Sequence, residues 1–291
     1  MPRRATAVLA GLATLCVAAA GCDSDGSPGG PARLVIETRD PSPERVAISA
    51  PQSVDAGAVA IELRNRGDML HDAQLLRVDG ERTAADVVGV LESSDSAAKP
   101  AWLHPAGGVA ATSPAETATV VQVLQPGTYY VADTQERTVP GGARRTNATK
   151  QGIVRLEVEG DADDDLPDTP ATITASEYGY ETDGIVAGVN RVTFRNAGEE
   201  LHQAVAFPID DGLTYREGRR RALAREADTG WVPVDAPHER ATAVLEGGDE
   251  QIAELVFKPG RYVLLCFVSG RSGGTAQWRL GMSAELEVPR R

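Results

Sequence analysis

Two stretches of this 291-residue chain repeat one another at a fixed offset. Gly57-Ala-Val-Ala-Ile-Glu-Leu-Arg-Asn65-Arg-Gly67 leads to His71, and Gly188-Val-Asn-Arg-Val-Thr-Phe-Arg-Asn196-Ala-Gly198 leads to His202. Asn196 follows Asn65, and His202 follows His71, by 131 positions. At the same offset Thr83-Ala-Ala-Asp86 meets Thr214-Tyr-Arg-Glu217, both in the form of a helix N-cap with an acidic residue three positions on. Further along, Trp102 is matched by Trp231, and Leu124-Gln-Pro-Gly-Thr-Tyr129 by Phe257-Lys-Pro-Gly-Arg-Tyr262. Such a unit is too long for a solenoid repeat, and two copies are too few to stack one. The chain therefore reads as two copies of one fold.

Pattern sets the class of that fold. Leu34 to Thr38, Ala58 to Leu63, Thr119 to Leu124, Thr128 to Ala132 and Ile153 to Val158 alternate or run apolar between Gly, Pro and Asn turns, as sandwich strands do. The second half repeats this in Ala171 to Ala175, Asn190 to Phe194, Gln203 to Phe207, Gln251 to Phe257, Arg261 to Phe267 and Ala284 to Val288. Val87, Val90 and Leu91 form an apolar i, i+3, i+4 stripe, so each half is expected to carry one short helix against its sheet. Domain 1 is expected over 32–159 and domain 2 over 171–291. Between them Gly160-Asp-Ala-Asp-Asp-Asp-Leu-Pro-Asp-Thr-Pro170 breaks all periodicity. It lacks the Gly and closing Glu of an EF-hand loop and reads as a solvated acidic linker. A net charge of −13 leaves no basic surface to displace counterions from phosphates, which excludes nucleic acid as a partner.

The N-terminus implies a location. Arg3 and Arg4 precede an apolar run from Ala5 to Ala20, shorter than the roughly 20 residues that cross a bilayer, so residues 1–21 read as a signal peptide. Ala19-Ala20-Gly21-Cys22 has the form of a bacterial lipobox, with Cys22 as the lipidated residue; a plain secretory signal cleaved nearby is the alternative. More than one acyl chain on Cys22 would anchor the protein stably to a membrane, and 22–31 would form a flexible tether. With Cys16 in the signal and Cys22 lipidated, Cys266 is the lone ectodomain thiol. No internal disulfide is available, and Cys266 is either a buried inert side chain or a ligand or nucleophile.

The stretch from Pro259 to Met282 carries a family resemblance. Asn-x-Gly-x-x-x-His, then Pro-Gly-x-Tyr-x-x-x-Cys, then Gly281-Met282 resembles a cupredoxin, the blue-copper fold. The resemblance implies an all-β chain of two tandem Greek-key β-sandwich domains, in which a His, a Cys, a second His and an axial Met hold copper. In domain 2 the matching positions are His202, Cys266 and Met282, while Gln277 stands at the second imidazole. In domain 1 His71 survives alone, Asp133 takes the Cys position, and 148–153 contains neither His nor Met. His104 and His238, in the loops before the Pro-Gly turns, are remote candidates for the missing imidazole. Bland readings stand beside these: His71 and His202 as buried turn-tying residues, Cys266 and Met282 as core.

No His-x-His pair, Gly-x-Ser-x-Gly elbow, P-loop, Cys-x-x-Cys or His-Glu-x-x-His occurs, so no enzyme is expected. Two functions remain. The first is a membrane-anchored, extracytoplasmic binding or scaffolding module of the cell envelope, without a cofactor and with an envelope protein as partner. The second is copper binding by domain 2, for electron transfer or copper handling.

Overall fold

Alternation along the sequence becomes alternation of burial in the structure, a computed structural model that describes residues 30–43, 45–93, 96–138, 144–149, 152–162, 164–229 and 240–290. The signal peptide, Cys22, most of the tether, Trp231 and His238 lie outside the described residues. The first half contains β1 (Ala32–Ser42), β2 (Arg45–Ser49), β3 (Ser53–Asp55), β4 (Gly57–Asn65) and β5 (His71–Val78). After helix α1 (Ala84–Leu91) come β6 (Leu103–Thr112), β7 (Thr117–Leu124), β8 (Gly127–Ala132), β9 (Glu136–Thr138), β10 (Arg144–Thr146) and β11 (Ile153–Glu159). The second half has β12 (Ala171–Ser176), β13 (Gly179–Asp183), β14 (Gly188–Asn196) and β15 (Val205–Ile209), then helix α2 (Tyr215–Thr229). It closes with β16 (Glu250–Phe257), β17 (Gly260–Leu265), β18 (Ser269–Gly270), β19 (Gly273–Ala276) and β20 (Ser283–Val288).

The strands form sandwich layers that run through both halves. One sheet has eight strands in the order β13-β12-β14-β16-β7-β4-β1-β2, four from each half. Against it lie a five-stranded sheet of the first half, β3-β11-β8-β5-β6, and a three-stranded sheet of the second, β15-β17-β20. In both halves the opening strand pairs parallel with the Asn-x-Gly strand, β1 with β4 and β12 with β14. The chain is an all-β, tandem cupredoxin-like fold. Its halves join where Ile252 of β16 pairs with Val121 of β7, and one buried cluster spans them, from Leu34 and Ile61 to Phe194 and Met282. Residues 31–291 accordingly make one compact unit.

Local rules account for the details. Thr83 caps α1 in a capping box with Asp86, and Thr214 and Glu217 make the same reciprocal bonds at the start of α2. Each Pro-Gly turn is locked by the tyrosine two residues after its glycine: Tyr129 Oη donates to Gln125 O at 2.9 Å, and Tyr262 Oη to Lys258 O at 3.0 Å. Gly127 and Gly260 sit at φ near +146° and +147°, where a side chain would be strained. The acidic segment after β11 is tied back to both halves, since Ala58 N donates to Asp164 Oδ2 and Thr193 N to Thr169 Oγ1. Among the described residues no helix is long and apolar enough to cross a membrane.

Candidate metal centre

The repeated Asn-x-Gly-x-x-x-His motif is a device for aiming a histidine. Asn65 Oδ1 accepts from Gly67 N at 2.8 Å, and its Nδ2 donates to Met69 O and Thr112 O. Asn196 does the same with Gly198 N, Glu200 O and Leu245 O. The buried amide thus folds the loop back on its own strand and ties it to the neighbouring segment. His71 and His202, both fully buried, follow at the same distance from this anchor.

In the second half His202 Nδ1 lies 3.9 Å from Cys266 Sγ. Cys266 comes just after β17, fully buried, in the same core cluster as Met282. Burial pushes the Cys266 thiol up to about 11, against the backbone N–H groups of Gln203 and Val268 and the Tyr180 hydroxyl, which favour the thiolate. Burial likewise holds His202 below its ordinary value, partly offset by the charges of Glu177 and Glu200. Gln277 opens a 3-10 turn, Gln277–Leu280, ended by Gly281 in the left-handed conformation. Its Nε2 donates to Leu201 O at 2.7 Å, and its Oε1 is buried without a hydrogen-bond partner. The structure therefore brings His202 and Cys266 together, with the Gln277 amide bonded to the residue before His202; Met282, also fully buried, precedes Ser283, which pairs with the Leu265 before Cys266.

Copper, which the fold implies, can be tested against this geometry. Metal–nitrogen and metal–sulfur bonds of about 2.0 and 2.3 Å place two ligands roughly 3.7–3.9 Å apart at the angles of a trigonal plane. The His202–Cys266 separation falls in that range and is too long for a strong hydrogen bond. Among the described residues no three His, Cys, Asp or Glu side chains surround a common metal position; His202 and Cys266 make a nitrogen–sulfur pair, and the buried Met282 thioether is the candidate for a third donor. The set fits a soft, low-coordinate ion and lacks a second imidazole.

The first half turns the same position into an ion pair. Asp133, one residue past β8, places Oδ2 2.6 Å from His71 Nδ1, the nitrogen that faces sulfur in the second half. Asn147 Nδ2 donates to the same oxygen, and Asp72 N and Gln135 N to Oδ1. His71 Nε2 in turn meets Asp40 Oδ2 at 3.1 Å. The histidine is thus clamped by two carboxylates, not by the backbone carbonyl that a turn-tying role suggests. Burial opposes its charging, but the hydrogen bonds and charges of Asp133 and then Asp40 outweigh it and raise His71 above its ordinary value. His104 is similarly committed, with Nδ1 2.7 Å from Glu246 and Nε2 2.9 Å from Asp79.

Sequence reasoning missed Asp40 and Glu177. Each comes from the first hairpin of its half and meets the histidine loop, yet Glu177 follows Asp40 by 137 positions, outside the offset of the repeat. Two acidic residues at unmatched positions in exposed hairpins carry no signal of their own.

Protein-family models and curated proteins yield no match to the sequence. Among solved structures, the chain is similar to a multicopper oxidase at 15 % identity and TM-score 0.25, over 88 % of each chain. An auracyanin from Roseiflexus castenholzii matches at 22 % identity and TM-score 0.28, over 40 % of this chain and 94 % of its own. The blue copper protein auracyanin A of Chloroflexus aurantiacus matches at 18 % and 0.28, over 44 % and 99 %. The fold assignment rests on the strand order and registers given above.

Proposed function

We propose that the chain is a non-enzymatic copper-handling protein of the bacterial cell envelope, whose second half takes Cu(I) on His202, Cys266 and Met282. The observation that carries this reading is the 3.9 Å approach of His202 Nδ1 to Cys266 Sγ. Bound copper would supply a soft ion suited to thiolate and thioether donors. Cys266 contributes the anionic donor once its proton leaves, and the N–H groups of Gln203 and Val268 favour that thiolate. Met282, fully buried and one residue before the Ser283 that pairs with Leu265, would contribute a weak thioether. Gln277 offers at most a hard amide oxygen where a second imidazole would favour Cu(II), so the set prefers the reduced ion. Attachment to the outer face of the membrane is supported by Ala19-Ala20-Gly21-Cys22.

The scaffolding reading has its own support in the first half, where the fold persists with an ion pair at the ligand position. Anaerobic Cu(I) and aerobic Cu(II) titrations separate the two. We expect a one-to-one Cu(I) complex that Cys266→Ser abolishes, and an intense thiolate-to-copper colour with Cu(II) in Gln277→His. No Cu(I) binding by the wild type would end the copper reading and leave the scaffold.

A further inference from the structure

Glu177 occupies the turn between β12 and β13, and its carboxylate crosses to the loop that ends at His202. Its Oε1 accepts from the backbone N–H of Glu199 and, at 2.9 Å, of Glu200. The same oxygen lies 3.7 Å from His202 Nε2, a buried nitrogen with no hydrogen-bond partner. That is an electrostatic contact, longer than a hydrogen bond. Gly198 leaves the room for it, because a Cβ there would overlap the Glu177 carboxylate. Next to it Tyr178 is held at φ +68° with its ring half exposed, a strained conformation of the kind that persists where the surroundings fix it.

The first half arrives at the same arrangement from a different position in its hairpin. Asp40 Oδ2 accepts from the backbone N–H of Asp68 and Met69, the loop positions matching Glu199 and Glu200, and lies 3.1 Å from His71 Nε2. Both repeat histidines therefore have a carboxylate at Nε2 and the strand-end side chain at Nδ1. Glu200, the other acidic group near His202, accepts from Arg271 N through Oε2.

We propose that Glu177 is a positioning residue for His202, fixing the Nε2–H tautomer so that the Nδ1 lone pair is directed at Cys266. A neutral imidazole carries one N–H. With the proton on Nε2 it points at the carboxylate. With the proton on Nδ1, the Nε2 lone pair faces a negative oxygen and the nitrogen nearest Cys266 is blocked for a metal. The consequence for copper rests on the preceding reading; the tautomer does not.

The test uses the full ¹⁵N-labelled chain in detergent, as wild type, Glu177→Ala and Glu177→Gln. Glutamine keeps an oxygen for the Glu199 and Glu200 N–H groups, so it carries the test where alanine disrupts the loop. Long-range ¹H–¹⁵N spectra of the metal-free protein should show His202 as the Nε2–H tautomer in wild type, with the other form rising in the variants. Competition titration with Cu(I) should show a loss of affinity of about tenfold to a hundredfold. A wild-type His202 in the Nδ1–H form overturns the proposal, as does a Glu177→Gln chain that keeps both the wild-type tautomer population and the wild-type affinity. If the wild type binds no Cu(I), the copper reading fails while the tautomer arm still decides the role of Glu177.

Discussion

At His71 the Nδ1 nitrogen meets a carboxylate oxygen over 2.6 Å, while at His202 the same nitrogen faces a thiol 3.9 Å away. One half therefore sets the imidazole against a carboxylate where the other sets it against a thiol. Next to His71 is Asp72, which accepts from Thr134 N, Thr134 Oγ1 and Gln135 Nε2. Burial, then the charge of Asp133, raises Asp72 from an ordinary 3.8 to about 7. Both groups bind protons more tightly in the folded chain than in the unfolded one. Their stabilising contribution is complete below the unfolded pKa and is lost as pH rises through the folded one: between about 4 and 7 for Asp72, and above 6.5 for His71. Thermal melts should therefore show stability falling from pH 5 to pH 8. Asp72→Asn, which mimics the protonated acid, should flatten the part of that slope below pH 7. An unchanged slope would rule out Asp72 as its source. The approach of His202 to Cys266 was legible from the repeat, the lone thiol and the family pattern together. Asp40 and Glu177 were not, because a charge contacting a distant loop leaves no periodicity behind.

Among the elements, those governed by local chemistry were the readable ones. Both helix starts were visible as caps, since the capping box is a bond between residues three apart. Thr83→Ala should cost roughly 1 kcal/mol, read as a shift in denaturant midpoint, because α1 packs Val87 and Val88 beneath the box. A midpoint that does not move would mean that the helix is held by packing alone. The central strands were also visible, whereas β5 and β6 were not. The first four residues of β5, His71, Asp72, Ala73 and Gln74, are polar or small, and all four are buried. β6 lies at a sheet edge and contains Pro105, Gly107 and Gly108, residues that ordinarily argue against a strand. Gly108 is needed there because a Cβ would collide with the Ala73 carbonyl oxygen, a contact set by the partner strand.

Across the whole molecule the two copies share a sheet. The β16–β7 pairing joins them, and Gln74 crosses the seam, with Nε2 donating to Val244 O and Oε1 accepting from Val244 N. A fragment spanning 171–291 would expose the β16 edge and leave these groups unpaired. Expressed alone, it is expected to self-associate or to lose cooperative unfolding by sizing chromatography and calorimetry. A monomeric fragment that melts in one sharp transition would show that the seam is dispensable. The sequence by itself determined the duplication, the β class, the helix caps and turns, and the matched histidines His71 and His202, because each is written in residues that are near in sequence or repeated at one offset. Only the tertiary structure decided that the halves fuse, that Asp133 and Asp40 clamp His71, and that Glu177 faces His202. Those contacts join residues tens of positions apart through strand pairing and burial, and no local pattern encodes which charge a buried imidazole will meet.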